Sequence, residues 1–222
     1  MDKLEIACFN LESALISQQN GADRIELCDG IALGGTTPNE EMVTKARAVL
    51  TIDLYVMIRP RGGNFVYSNA EFMQMKAEIQ ALKKLNVDGF VFGILNEDKT
   101  INSNQNAELV TLAKPFPCTF HRAFDVAADL HQSLEAVIQC GFQAILTSGQ
   151  KPNVVEGGNQ LSELVKKANG RITIMPGGGL RSTNIELIQQ KTKAVFYHSS
   201  AITDGSETAV ASEVVALKSN LK

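Results

Sequence analysis

At 222 residues, 44% of them hydrophobic and 20% charged, the chain is long enough to bury one sizeable core and reads as a single domain over 1–222. A net charge of −3 at pH 7 argues against a general nucleic-acid binder, which carries a basic excess or stripe. No run approaches the ~18 apolar residues of a membrane span, and MDKLEIACFNLESAL has no basic segment leading into an apolar one. The expectation is a cytoplasmic protein that neither crosses a membrane nor binds nucleic acid.

Short apolar, β-branched runs alternate with stretches of helical period from end to end. A strand over 4–9 turns at Asn10 into a helix over 11–20, which Gly21 stops. A strand over 24–28 leads to a helix over 39–50, and one over 53–59 to a helix over 70–86. The strand at 88–95 precedes a helix at 104–114; the strand at 117–122 precedes a helix at 126–140, closed by Gly141. Strand 143–147 pairs with helix 158–169, which Gly170 follows, strand 172–175 with helix 183–191, and strand 194–198 with helix 207–220. Eight β and eight α units predict the α/β class and a (β/α)8 TIM barrel. An open doubly wound sheet shares the alternation, but the first strand is followed by CFNLES rather than a GxGxxG turn.

Helices cover the outside of such a barrel, so the apolar members of each strand face outward and the alternate set faces the interior. This parity puts Leu4, Ile6, Ile25, Leu27, Leu54, Val56, Ile58, Phe120, Val195 and Tyr197 outward. It puts Glu5, Ala7, Arg24, Glu26, Cys28, Tyr55, Met57, Arg59, Thr119, His121, Phe196 and His198 inward. Arg59, His121 and His198 fall at carboxyl ends of strands, where barrel active sites are built. Glu26, His121, His198 and Arg59 are therefore the candidate catalytic groups, against the alternative of satisfied structural residues. Glu5 and Arg24, near strand starts, read equally as an ion pair on the barrel floor. In CTFHRAFD (118–125), Arg122 faces away from His121 and is placed to anchor its loop to Asp125.

Two segments stand where barrels bind phosphate: MPGGGLRS (175–182) after strand seven, and HSSAITDG (198–205) after strand eight. They nominate Gly177, Gly178, Gly179 and Ser199 for an anion, although a glycine run also makes an ordinary tight turn. MIRPRGGNFVYS (57–68) adds Arg59 and Arg61, suited to bidentate pairing with an anion or to pinning a surface loop. LTSGQKPN (146–153) adds Thr147 and Ser148.

The four cysteines, Cys8, Cys28, Cys118 and Cys140, lie in apolar segments without CxxC spacing, which predicts buried free thiols. The stretches ADRIELCDGIALGGTTPN (22–39), MIRPRGGNFVYS, CTFHRAFD, ILTSGQK, MPGGG and HSSA together resemble, in order and along nearly the whole chain, the CutC family. The resemblance implies a (β/α)8 barrel in the cytoplasm, a homodimer or larger homo-oligomer, and a role tied to copper homeostasis. It also implies Cu(I) as the bound metal, with Cys8 and Cys28 as its ligands, soft thiolates being suited to that ion. The parity reading sets the two thiols on opposite faces, Cys28 inward and Cys8 outward, and the alternative is two small buried hydrophobes.

Two functions follow. In one, the barrel carries Cu(I) on Cys8 and Cys28. In the other, it is an enzyme of acid/base lyase or isomerase type on a small anionic or phosphorylated substrate. There Glu26 or His121 moves the proton, Arg59 and Arg61 clamp the anion, and Gly177, Gly178, Gly179 and Ser199 seat it. No lysine ends an inward-facing strand position, which argues against Schiff-base chemistry.

Overall fold

In a computed structural model describing residues 2–221, the chain runs β1 (Lys3–Cys8), α1 (Leu11–Gln19), β2 (Arg24–Leu27), α2 (Glu40–Val49), β3 (Asp53–Met57), α3 (Asn69–Leu82), β4 (Gly89–Phe92) and α4 (Ser103–Ala113). It continues through β5 (Cys118–Phe120), α5 (Leu130–Cys140), β6 (Ala144–Thr147), α6 (Gly158–Ala168), β7 (Thr173–Pro176), α7 (Ile185–Thr192), β8 (Phe196–Ser199) and α8 (Ala211–Ser219). All strand pairs are parallel, in the order β7-β6-β5-β4-β3-β2-β1-β8. The two ends of this ladder, β7 and β8, stand side by side and leave a nearly closed (β/α)8 barrel.

Strand parity organises the core into layers. Leu4, Ile6, Ile25, Leu27, Leu54, Val56, Ile58, Phe120 and Tyr197 join the helices in one continuous apolar layer between sheet and helix ring. Inside the barrel, Cys28, Tyr55, Met57 and Val91 form a small cluster, and Leu146, Met175 and Phe196 form another. Val195 departs from the expected outward packing. It precedes β8 at the rim and is 61% exposed.

Helix starts follow local hydrogen bonding. Asn10, Asn39 and Asn102 each accept a first-turn amide, and Ser68 with Glu71 forms a reciprocal capping box. The helix expected over 126–140 begins instead at Leu130. His121 opens a 3-10 turn over Arg122–Val126, and Asp129 then accepts the amides of His131 and Gln132. The last helix begins at Ala211 rather than at 207, because Asp204 and Ser206 hold the preceding loop in side-chain turns.

Candidate functional site at the barrel mouth

The carboxyl ends of the strands open on a cavity of about 470 Å³, whose wall includes Glu26, Cys28, Arg59, His121, His198 and Ser199. That is a volume for a small molecule. Five buried polar atoms on inward-facing residues have no hydrogen-bond partner among the described residues: Arg24 Nε, Glu26 Oε1, Arg59 Nε, Thr119 Oγ1 and His121 Nε2. Such orphans are uncommon in folded interiors, and those on Glu26, Arg59 and His121 belong to residues that line the cavity.

One side of the cavity is a charge cluster from β1, β2 and β8. Register sets Glu5 beside Arg24 and His198, and Ala7 beside Glu26. His198 Nδ1–H donates to Glu5 Oε1 at 2.7 Å, its Nε2 lies 3.8 Å from Glu26 Oε2, and Arg24 Nη1 donates to Glu5 Oε2 at 3.2 Å. Arg24 is itself clasped between the rings of Tyr55 and Phe196, at 3.8 and 4.3 Å from their centroids. The floor ion pair expected from sequence thus extends upward into the site through Glu5.

Electrostatics divide the two acids. Burial opposes charge on Glu5, yet the hydrogen bond and positive charge of His198, with Arg24, hold its carboxyl below the usual range. Burial pushes the Glu26 carboxyl up to about 7, with His198 opposing the rise and Glu5 adding to it. Burial also disfavours the His198 imidazolium, but Glu26 and Glu5 together keep it above the ordinary histidine value. Oxygens of Glu5 and Glu26 and a ring nitrogen of His198 lie within 4.8 Å of one another, a spacing that admits a cation, although Glu5 and His198 already satisfy each other.

The other side is built by β3 and β5. His121 is 3% exposed, packs its ring on Phe65 at 4.9 Å between centroids, and accepts the Ala123 amide at Nδ1. Burial, reinforced by Arg59, pushes its pKa down to about 3, so the ring is neutral at physiological pH. Gly93 on the neighbouring segment makes room for it, since a Cβ there would meet His121 Nδ1 at 2.8 Å. Arg59 lines the wall but is committed to structure: Nη1 donates to the carbonyls of Leu33 and Gly35, and Nη2 to that of Gly63.

Toward β7 and β8, the wall holds Gly178, Gly179, Ser199 and Ser200 with two arginines that the sequence reading did not select. Arg181 donates to Ser199 Oγ at 3.1 Å and to the carbonyls of Leu180 and Ile202. Arg122 does anchor to Asp125, at 2.8 Å, and also lies on the cavity wall. Its guanidinium carbon would sit 2.9 Å from a Cβ on Gly178, whose φ of 101° already favours glycine. Arg181 was legible as the arginine following the glycine run; the inward swing of Arg122 depends on the 3-10 turn and carried no sequence signal.

Several nominated residues lie elsewhere. Arg61 is outside the cavity, its Nε donating to Glu71 at 2.6 Å and its remaining donors going to local carbonyls. Thr147 and Ser148 form a layer behind Arg122. Asp125 accepts from Thr147 Oγ1 and from the Ser148 and Gln150 amides, while Arg122 donates to Ser148 Oγ. Gly177 is a packing glycine, since a Cβ on it would meet Leu146 at 2.3 Å.

The two cysteines sit on opposite faces. Cys28 faces the cavity, whereas Cys8 points toward α1, its Sγ 3.6 Å from Ser17 Oγ, within the layer between sheet and helices. Burial pushes the Cys8 thiol up to about 12 and raises that of Cys28 well above the ordinary value. The sulfur of Cys28 and the methyl of Met57 lie 3.4 and 3.6 Å from one point, the place a Cβ on Gly35 would occupy.

The sequence profile of the CutC family matches residues 2–203. A human protein named copper homeostasis protein cutC homolog is 41% identical over 198 residues, 89% of this chain and 72% of that protein. A family protein CutC of Parabacteroides distasonis is 45% identical over 199 residues, 89% of this chain and 82% of its own length. The crystal structure of a putative copper homeostasis protein CutC from Streptococcus agalactiae superposes with a TM-score of 0.87 at 35% identity, covering 91% of this chain and all of that one. At 13% identity, a phosphoribosylanthranilate isomerase of Thermotoga maritima superposes with a TM-score of 0.66 over the whole of this chain and 98% of its own, sharing the barrel fold. The chain belongs to the CutC family.

Proposed function

We propose that the protein serves copper homeostasis, the role for which its relatives are named, by binding Cu(I) in the mouth cavity. The observation that carries this reading is that Cys28 and Met57 share one cluster on the cavity wall. A thiolate and a thioether are the soft ligands Cu(I) prefers. The Cys8 thiol, turned to α1, backs the strand in this reading rather than sharing the ion. Four free cysteines also suit a reducing cytoplasm, where such a site keeps its thiol.

Competition against a chromogenic Cu(I) chelator tests it. Cys28→Ser is expected to abolish stoichiometric binding, Met57→Leu to weaken it about tenfold, and Cys8→Ser to leave it in place. Unchanged affinity in Cys28→Ser overturns the proposal.

A further inference from the structure

Three features of the cavity remain unused once Cu(I) is assigned to Cys28. Glu26, 3% exposed, keeps Oε1 without a partner. His121, equally buried, keeps Nε2 without one. Because its Nδ1 accepts the Ala123 amide at 3.3 Å and the ring is neutral, the proton sits on Nε2, and the orphan is a donor. Finally, the amides of Gly178, Gly179 and Ser200 find no acceptor among the described residues, and Arg122 and Arg181 flank them. Glu26 Oε1 and His121 Nε2 are buried as well as unpaired, so a ligand that satisfies them is favoured.

A base, a neutral donor for an oxygen and a seat for an anion are the parts that proton abstraction beside a carbonyl requires. We propose that the mouth cavity enolises a small carbonyl compound bearing an anionic group, with Glu26 as base and His121 as donor to the carbonyl oxygen. Glu26 carboxylate takes the proton from the carbon beside the carbonyl. The C–H electron pair becomes a C=C bond, and the carbonyl π pair moves to oxygen, where His121 Nε2–H stabilises the enolate. Once Glu26 has exchanged the proton with solvent, its return to the first carbon exchanges that hydrogen; where that carbon bears a hydroxyl, passage of the hydroxyl proton to the enolate oxygen gives the enediol, and return of the proton to the former carbonyl carbon gives the isomer. The step needs no oxidant or reductant. The anionic group sits on the Gly178, Gly179 and Ser200 amides, as backbone nests hold phosphate or carboxylate, with Arg122 and Arg181 supplying charge. No lysine lines the cavity among the described residues, so no amine is placed to form a Schiff base.

Glu5 from β1, Arg24 from its own strand, Cys28 just beyond the end of that strand, Tyr55 from β3 and His198 from β8 surround Glu26.

The test is solvent deuterium incorporation, followed by proton NMR on metal-free full-length protein, into dihydroxyacetone phosphate, ribose 5-phosphate and 2-oxobutyrate. Exchange above the buffer rate is expected in at least one of them, reduced at least ~100-fold in Glu26→Gln and ~10- to 100-fold in His121→Phe. Inorganic phosphate binding, read by phosphorus NMR, should persist in Glu26→Gln, which shows that variant to be folded, and weaken in Arg122→Ala. Absence of exchange in all three compounds, or wild-type exchange in Glu26→Gln, overturns the proposal.

Discussion

Replacing Glu26 with glutamine should make the protein more stable in alkaline solution and change little in acid. The carboxyl is 3% exposed, and burial carries it from an ordinary 4.5 to about 7. A folded-state pKa above the unfolded one means that the folded chain holds this proton more tightly. The associated stability is fully present below about pH 4.5 and is lost as pH rises through about 7. At ~1.36 kcal/mol per tenfold change in proton affinity, the loss amounts to about 3 kcal/mol by pH 9. Glutamine keeps the shape without the ionisation and escapes that loss. His198 returns part of the gain, because its imidazolium loses one of its two attracting carboxylates, so a net stabilisation of roughly 1–3 kcal/mol is expected at pH 8.5. Urea unfolding of both proteins at half-unit steps from pH 5 to 9 measures it. The difference in midpoint should be small at pH 5 and open through pH 7. A difference that stays flat, or grows toward acid, would refute the reading of Glu26 as a buried, reluctantly ionised acid.

Cu(I) affinity should strengthen about tenfold per pH unit between pH 6 and 8, because the ion must displace one proton from the raised Cys28 thiol; chelator competition across that range checks the slope, and a pH-independent affinity excludes a thiolate ligand. Asp125→Asn should cost about 1–3 kcal/mol in urea unfolding and loosen Arg122, since one carboxylate holds Thr147, the Ser148 and Gln150 amides and the Arg122 guanidinium together. Its phosphate affinity should fall alongside that of Arg122→Ala, and equal affinity would show that Arg122 does not depend on this anchor.

The barrel was legible because its two periodicities are strict. Helices cover every strand, so alternation within runs such as KLEIAC and RIEL has one permissible reading. That reading places Glu5, Glu26, Cys28, His121 and His198 inside, and it sets Cys8 apart from Cys28. Helix ends were less legible wherever a polar side chain captured backbone ahead of the helix, as Asp129 does for α5 and Ser206 does before α8.

Arginines were the hardest residues to assign, for a reason inherent in their length. Parity fixes where a Cβ points, but a guanidinium reaches far enough to leave the face from which it starts. Arg59, inward by parity, spends its fork on three loop carbonyls and braces the wall. Arg61, on a loop that looked made for an anion, folds back on Glu71. Arg122, outward by parity, is returned to the cavity by the 3-10 turn and fixed there by Asp125. What separates the three is the supply of nearby acceptors. Arg122 meets a hydroxyl that leaves room for a stronger acceptor, whereas Arg59 gives three hydrogen bonds to loop carbonyls and Arg181 divides its bonds between two carbonyls and the hydroxyls of Ser199 and Ser200. An incoming anion therefore gains more from Arg122 than from Arg59, which places the positive end of the cavity beyond β7, beside the open amides of Gly178 and Gly179.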